Sequence, residues 1–177
     1  MATEDHRFYS GSGIDPFAIA RVTAGHLTGK PGQGGSTLYQ QLAKILYVPG
    51  HSGILAKGEQ VLLGVKLALS YPKEEILQMY AAVAHFGHGY YGLQAASCGY
   101  FGIPPAALTW PQAALLAGLV QEPSGNDPLA HPSSVRARES HVLGRLAATG
   151  TLTQAQAERA YRQPLGLTIR RPAVPGC

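Results

Sequence analysis

The chain has 177 residues, of which 14% are charged and 45% are hydrophobic, and its 14 Lys and Arg against 10 Asp and Glu give a formal net charge of +4. This length allows one domain with a proper core, and the composition excludes a disordered tail and a highly charged coiled coil. The basic excess is mild, and no run of Lys or Arg exceeds the pair Arg170-Arg171. Nucleic acid is therefore not an expected partner, whereas an anionic ligand or an anionic membrane surface is.

Helix start signals and a glycine-rich loop divide the first part of the chain. A helix that begins with a first-turn proline is predicted over residues 16–27, and a glycine-rich loop follows over 28–35. Thr37 and Gln40 then match a capping box, which predicts a second helix over 37–47. A longer third helix carries one apolar face, and Pro72 starts a fourth. The apolar face of the third helix is marked by Leu55, Leu62, Val65 and Leu69.

The second half of the chain is also predicted to be helical. Helices are expected over 93–101, from Thr109 through Val120, over 132–149 and over 153–161, and capping boxes open the second and the last of them. Alternation with a period of two is nowhere sustained beyond a few residues. The sequence therefore predicts an all-α protein of one domain, with a loose tail after Arg170.

Cysteine and histidine residues give no strong sign of a metal site. Cys98 and Cys177 are too few for a disulfide framework or a metal knuckle, so we interpret them as a core thiol and a terminal thiol. His85 and His88 lie three residues apart and suggest a metal site together with His51. Because no carboxylate or cysteine accompanies them at ligand spacing, loop or surface histidines are the favoured interpretation.

Two groups of residues have the composition of a catalytic or binding site. The first is Glu4-Asp5 with Phe8, for which a solvated N-terminal turn is the simpler interpretation. The second runs over 34–44, where a glycine pair leads into a helix N-terminus that suits a phosphate or a sugar oxygen. An ordinary helix cap explains this second group about equally well. Gln40, Gln41 and Lys44 add amide and ammonium groups on the following turns.

In order and spacing, these motifs resemble the peptidoglycan glycosyltransferase family, which comprises the transglycosylase domain of class A penicillin-binding proteins and the monofunctional transglycosylases. The family motif E-D-x-x-F-x-x-H-x-G is similar to residues 4–13, where Gly11 replaces the histidine, and G-x-S-T-x-x-Q-Q-L-x-K is met by 34–44. The resemblance covers roughly residues 2–160. It implies an all-α, lysozyme-like glycosyltransferase domain, which we assign to 1–165, with a C-terminal tail over 166–177.

The resemblance also implies a reaction. Family members polymerise lipid II through β-1,4 bonds and release undecaprenyl pyrophosphate with inversion at the donor sugar. Glu4 would be the general base for the acceptor hydroxyl. No tightly bound cofactor is expected, and Mg²⁺ or Mn²⁺ is the candidate ion at the pyrophosphate. The remaining carried-over residues would bind substrate: Asp5 and Phe8 in the base's pocket, Ser36, Thr37, Gln40 and Gln41 along the donor cleft, and Lys44 at the pyrophosphate.

The third family motif, R-K-x-x-E, is altered at residues 56–60. Lys57 is kept as a substrate-binding residue, but Ala56 replaces the arginine and Gln60 takes the catalytic position of the second glutamate. Glu59 is one residue, about 100°, out of step. Three hypotheses follow: a working glycosyltransferase with reduced activity, a degenerate domain that binds lipid-linked glycan or a cell-wall partner, and a lysozyme-like hydrolase.

The same resemblance implies work at a membrane. Family members usually carry an anchor helix ahead of the first motif, which here begins near residue 2. We therefore expect peripheral attachment at the outer face of the bacterial cytoplasmic membrane, with lipid II, the growing glycan strand and cell-wall synthesis proteins as partners. The apolar residues 45–49, with Ile54 and Leu55, are candidates for bilayer contact, although a connection packed into the core is the favoured interpretation.

Overall fold

The computed structural model describes residues 8–9, 36–123, 125, 128, 131–168 and 177. The chain is divided into two compact units, one from Thr3 to Tyr80 and one from Ala81 to Cys177. The predicted helix over 16–27, the glycine-rich loop over 28–35 and Glu4-Asp5 lie outside the described residues. So does the tail from 169 to 176. The boundary assigned at residue 165 stays a prediction.

The described part of the first unit contains three helices: α1 (Leu38–Tyr47), α2 (Ile54–Ser70) and α3 (Lys73–Val83), whose last residues extend past its boundary. Thr37 is the N-cap of α1, and its hydroxyl accepts a hydrogen bond from the Gln40 backbone N–H at 3.4 Å. This half of the predicted capping box is therefore confirmed. The side-chain oxygen Oε1 of Gln40, which would complete the box, instead accepts a hydrogen bond from Lys57 on α2.

Helices α1 and α2 pack closely against each other. A β-carbon on Gly64 of α2 would lie 3.2 Å from the backbone nitrogen of Gln40 and 3.3 Å from the carbonyl carbon of Tyr39. Glycine thus allows the two backbones to approach at this point. The face of α2 that packs against α1 includes small and polar residues as well as an apolar one. Its buried residues are Ala56, Gln60, Gly64 and Leu67.

The apolar face predicted on the third helix exists, but it does not face the core. Leu55, Leu62 and Leu69 are 83%, 72% and 82% exposed, and Val65 is half-buried. Periodicity identifies residues that share a face, but it does not say which face a neighbour covers. Here the small residues on the opposite side of α2 pack against α1, so the leucines are left at the surface.

The connection between α1 and α2 is likewise exposed. Ile45, Leu46 and Tyr47 at the end of α1 are at the surface, as are Ile54 and Leu55 at the start of α2. Only Val48 in this segment is a buried apolar residue. The favoured interpretation of a core-packed connection was therefore wrong for all of these residues except Val48.

The second unit contains four helices and one short 3₁₀ helix, close to the predicted positions. Both predicted capping boxes, Thr109 with Gln112 and Thr153 with Gln156, are present. Its core includes a cluster where α5, α6 and α7 meet, around Ala114, Val142 and Leu143. The elements are α4 (Leu93–Phe101), the 3₁₀ helix (Pro105–Ala107), α5 (Trp110–Leu119), α6 (Pro132–Ala148) and α7 (Gln154–Arg162).

Glu139 is a charged residue in the interior of the second unit. It lies on α6 with no exposed surface, and its Oε2 accepts a hydrogen bond from Arg136 at 2.7 Å. Its Oε1 has no hydrogen-bond partner among the residues that the structure describes. Burial raises the pKa of Glu139, and the charge and hydrogen bond of Arg136 oppose this rise.

The interpretation of the cysteines as free thiols was wrong. Cys98 on α4 and Cys177 form a disulfide with 5.5 Å between their α-carbons. The two residues are 79 positions apart, and only the tertiary fold brings them together. His51, His85 and His88 lie outside helices, as their interpretation as loop residues predicts.

Regular secondary structure in the described residues is helical, apart from one isolated bridge between His85 and Tyr91. The all-α prediction is confirmed for this part of the chain. None of its helices combines the length and the apolar character needed to cross a membrane.

Candidate functional site

Three of the predicted donor-site residues form a hydrogen-bonded cluster between α1 and α2. The Lys57 ammonium group donates to Ser36 Oγ at 2.5 Å and to Gln40 Oε1 at 3.3 Å. Ser36 precedes the N-cap Thr37, and Gln40 lies on the first turn of α1, so the cap and the close packing at Gly64 together hold these groups in place. We call Ser36, Gln40 and Lys57 the lysine cluster.

The positive charges at and near the lysine cluster favour the binding of an anion. Burial lowers the pKa of Lys57, and the positive charge of Lys44 lowers it further. Lys44 is exposed in the last turn of α1. Among the described residues no carboxylate forms an ion pair with either lysine. An anion that enters the lysine cluster would be attracted by both ammonium groups.

Other predicted substrate residues have different positions. Gln41 accepts a hydrogen bond from the Tyr80 hydroxyl at 2.8 Å, which joins α1 to α3 instead of extending the lysine cluster. Phe8 is buried, and its ring lies 5.2 Å from that of Tyr39 on α1. Phe8 thus contributes to the hydrophobic packing of α1. Thr37 is buried at the helix cap.

The altered third motif presents a neutral residue at the buried face of α2. Gln60 is buried one turn beyond Lys57, on the side of α2 that packs against α1. Ala56 is buried too, whereas Glu59 is exposed on a flank of the helix, about 100° around its axis from Gln60. The backbone is therefore not rotated to bring Glu59 into the position of Gln60. Glu4 and Asp5 lie outside the described residues, so their predicted roles stay predictions.

Sequence reasoning missed three residues that support this arrangement. Gly64 allows the close approach of α2, and Tyr80 holds Gln41. Lys73, at the start of α3, donates a hydrogen bond to the backbone carbonyl of Tyr9 and so ties the segment beside Phe8 to α3. A glycine on the buried side of an otherwise apolar helix was the available signal for the first of them.

Comparison with known proteins shows the family of the chain. The family model described as transglycosylase matches residues 1–147, which include all the residues of the lysine cluster. The chain belongs to the transglycosylase family.

Curated relatives of this transglycosylase chain fall into long and short proteins. It is 36% identical to penicillin-binding protein 1F of Bacillus subtilis over 172 residues, which are 97% of this chain and 24% of that protein. It is 34% identical to a transglycosylase-family protein of Cupriavidus necator over 167 residues, 94% of this chain and 72% of the relative. The chain thus spans about a quarter of the length of the penicillin-binding proteins it matches, such as those in B. subtilis and in Aquifex aeolicus, where it covers 23%.

A solved structure supports the fold of the transglycosylase chain. Penicillin-binding protein 1A from Haemophilus influenzae aligns with a TM-score of 0.52 and 30% identity, and covers 56% of this chain and 15% of its own. Together with the helical secondary structure, this similarity confirms the all-α, lysozyme-like fold class.

Proposed function

We propose that this chain is a peptidoglycan glycosyltransferase domain that polymerises lipid II into β-1,4 glycan strands and releases undecaprenyl pyrophosphate. The observation that carries the proposal is the lysine cluster, because it presents an ammonium group and hydrogen-bonding oxygens beside a helix N-terminus in a transglycosylase chain. Such a site suits the pyrophosphate of a lipid-linked sugar donor.

In the proposed inverting reaction, the 4-hydroxyl oxygen of the acceptor sugar attacks the anomeric carbon of the donor. The bond from that carbon to the pyrophosphate oxygen breaks, and its electron pair leaves with the pyrophosphate. Glu4 would take the proton of the hydroxyl as general base. Lys57 and Lys44 would stabilise the charge that grows on the leaving group, and Lys57 is held for this task by Ser36 and Gln40.

The altered third motif sets the expected rate. In the proposed site Gln60 would still bind the leaving group through its amide, but it brings neither charge nor proton at neutral pH. Ala56 lacks the guanidinium that the family motif has at this position, and a charge-assisted hydrogen bond from such a group to the pyrophosphate contributes about 1.5–3 kcal/mol. Its absence corresponds to a roughly ten- to hundredfold slower reaction than that of a relative with the full motif. We expect Gln60→Glu, which restores a group able to give a proton, to raise the rate of polymerisation.

A divalent cation held by the protein does not fit the described part of the site. Lys57 and Lys44 are cations, Gln60 and Gln40 are neutral amides, and Glu59 is exposed about 100° around α2 from Gln60. Mg²⁺ and Mn²⁺ prefer carboxylate and water oxygens. If such an ion takes part, we propose that it arrives bound to the pyrophosphate oxygens.

We further propose that the domain works at the outer surface of the cytoplasmic membrane. Ile45, Leu46 and Tyr47 at the end of α1 and Ile54 at the start of α2 are exposed apolar residues on the two sides of one connection. We call them the apolar patch, and such residues are suited to contact with lipid. The Cys98–Cys177 disulfide is typical of a protein that folds outside the reducing cytosol.

The membrane proposal is tested by flotation with vesicles that contain anionic phospholipid. Leu46→Asp and Ile54→Asp each place a charge in the apolar patch and are expected to reduce the bound fraction severalfold. Gln78→Asp adds the same charge at an exposed position on α3 and serves as the control. Equal binding of all the variants would contradict the proposal.

The catalytic proposal is tested with purified chain, lipid II and Mg²⁺, by separating glycan polymers on a gel. Wild type is expected to form polymer, and Glu4→Gln to form none. Glu75→Gln removes an exposed carboxylate on α3 and is expected to behave as wild type. Absence of polymer with the wild type, in all metal conditions, would contradict the proposal.

The burial of Ala56 and Gln60 at the altered motif favours a second candidate function, a domain that binds lipid-linked glycan or a cell-wall partner without turnover. This alternative predicts that lipid II binds in a Lys57-dependent manner while no polymer forms. Polymer formation that Glu4→Gln abolishes would exclude it.

A further inference from the structure

We propose that the exposed leucine face of α2 pairs two copies of this chain in an antiparallel helix contact. The face consists of Leu55, Leu62 and Leu69, which we call the leucine seam. The proposal concerns self-association and does not depend on the catalytic proposal.

The leucine seam has the geometry of a helix contact. Its members are seven residues apart, and seven residues turn an α-helix to within about 20° of two full turns. The three side chains therefore form a narrow stripe about 21 Å long, the spacing used in paired helices. The stripe lies opposite to the face that packs against α1, which is the only described helix that contacts α2.

Two charged residues beside the leucine seam indicate which partner it binds. Glu59 and Lys66 are exposed and lie on the same flank of the leucine seam. Around the helix axis they are about 60° and 40° from Leu62, in the same direction. They are seven residues apart and so too distant to pair within one helix. In an antiparallel pair centred on Leu62, the same flank of both copies meets, and Glu59 of each copy faces Lys66 of the other. At the same time Leu55 of each copy meets Leu69 of the other.

A parallel helix pair and a bilayer contact do not place Glu59 opposite Lys66. In a parallel pair each flank meets the opposite flank, so Glu59 and Lys66 would face Gly58 and Val65 and gain no ion pair. Against an anionic bilayer, Lys66 would meet phosphate groups, but Glu59 would lie beside charges of its own sign. The alternation of a negative and a positive charge along one flank is therefore self-complementary, as a two-fold contact requires.

The contact is small, because one stripe of three leucines covers less than the roughly 1,000 Å² typical of stable interfaces. We expect reversible association in the micromolar range or weaker. Sedimentation velocity of the complete 177-residue chain, without detergent and over a hundredfold range of concentration, measures it.

Charge exchange gives the sharpest test. Glu59→Lys and Lys66→Glu each place like charges across the contact and should weaken association about three- to tenfold. The double variant Glu59→Lys/Lys66→Glu should restore it. An equimolar mixture of the two single variants should also restore it, because their heterodimer has two ion pairs. Glu75→Lys, on α3, is the charge-matched control and should associate like wild type.

Apolar contact is tested by Leu62→Glu and Leu69→Glu, which should each weaken association at least tenfold, with Gln78→Glu as the control. Circular dichroism and thermal unfolding establish that the variants fold. The proposal is overturned if wild type stays monomeric at all concentrations, or if the charge exchanges and the mixture have no effect. It is also overturned if the leucine variants lose vesicle binding but show no change in self-association, since the stripe would then be a bilayer contact.

Discussion

Lys57 of α2 donates a hydrogen bond to Ser36, which precedes the N-cap of α1, with 2.5 Å between Nζ and Oγ. The two residues are 21 positions apart, and the bond joins two motifs that the sequence presents separately. It also keeps an ammonium group in a half-buried position that lowers its pKa.

Affinity for pyrophosphate should depend on pH through Lys57. Its pKa is lowered from 10.5, so its positive charge is present below the lowered pKa and is lost as pH rises through it. Titration calorimetry with inorganic pyrophosphate should show affinity that falls as pH rises through this lowered pKa. Lys57→Ala should bind roughly ten- to a hundredfold more weakly at pH 7, with a flatter profile.

Lys57→Arg provides the comparison for the pH profile. The guanidinium stays protonated throughout this range, so the variant should lose the alkaline decline that Lys57 causes, even if its different shape lowers the affinity. Wild-type affinity in Lys57→Ala at pH 7 would contradict an anion-binding role for this residue.

The N-cap of α1 should matter for both stability and binding. Thr37→Ala removes the oxygen that accepts from the Gln40 N–H and should lower the free energy of unfolding by about 1 kcal/mol in urea denaturation. Because Gln40 also contacts Lys57, pyrophosphate binding should weaken in parallel.

Thr153→Ala is the matched variant for this prediction. It removes the equivalent cap oxygen of α7, in the second unit, and should cost a similar free energy of unfolding. Its pyrophosphate affinity should equal that of wild type. If both variants weaken binding equally, the effect comes from lost stability and not from the lysine cluster.

The disulfide should stabilise the second unit. Cys98 and Cys177 close a loop of about 80 residues, and reduction of such a bond typically lowers the free energy of unfolding by about 2–4 kcal/mol. Mass spectrometry of peptides from unreduced protein should detect the link, and unfolding in urea should shift on addition of reductant. The Cys98→Ala/Cys177→Ala variant should not respond to reductant. Free thiols in protein secreted into an oxidising compartment would contradict the link.

Glu139 should make stability depend on pH. Its folded-state pKa is raised by burial, so the folded chain holds this proton more tightly than the unfolded chain does. The contribution is fully present below pH 4.5 and is lost as pH rises through the raised pKa. Glu139→Gln keeps an acceptor for Arg136 without the buried charge.

The measurement for Glu139 is urea denaturation of wild type and Glu139→Gln between pH 4 and pH 8. The stability of the variant relative to wild type should increase with pH over this range. Glu158→Gln, at an exposed position on α7, controls for the general effect of removing one negative charge. A relative stability that is constant or falls with pH would contradict the prediction.

Local signals in the sequence were reliable where a helix end depends on neighbouring residues. Thr37, Thr109 and Thr153 each precede a helix as predicted, because an N-cap side chain satisfies backbone groups within three residues of itself. The motif around Ser36 and Lys44 also led to the correct family, since a catalytic domain keeps its substrate-binding residues in a particular order.

The sequence by itself thus determined the helical class, the helix starts and the family, all of which depend on short-range patterns or on motif order. Only the tertiary structure decided which side of α2 is covered, that Cys98 meets Cys177, and that Gln41 contacts Tyr80 while Gln40 contacts Lys57. These outcomes depend on contacts between distant residues. In particular, the glycine at position 64 lets α1 cover a partly polar face and leaves the leucine seam exposed, an outcome that apolar periodicity alone does not predict.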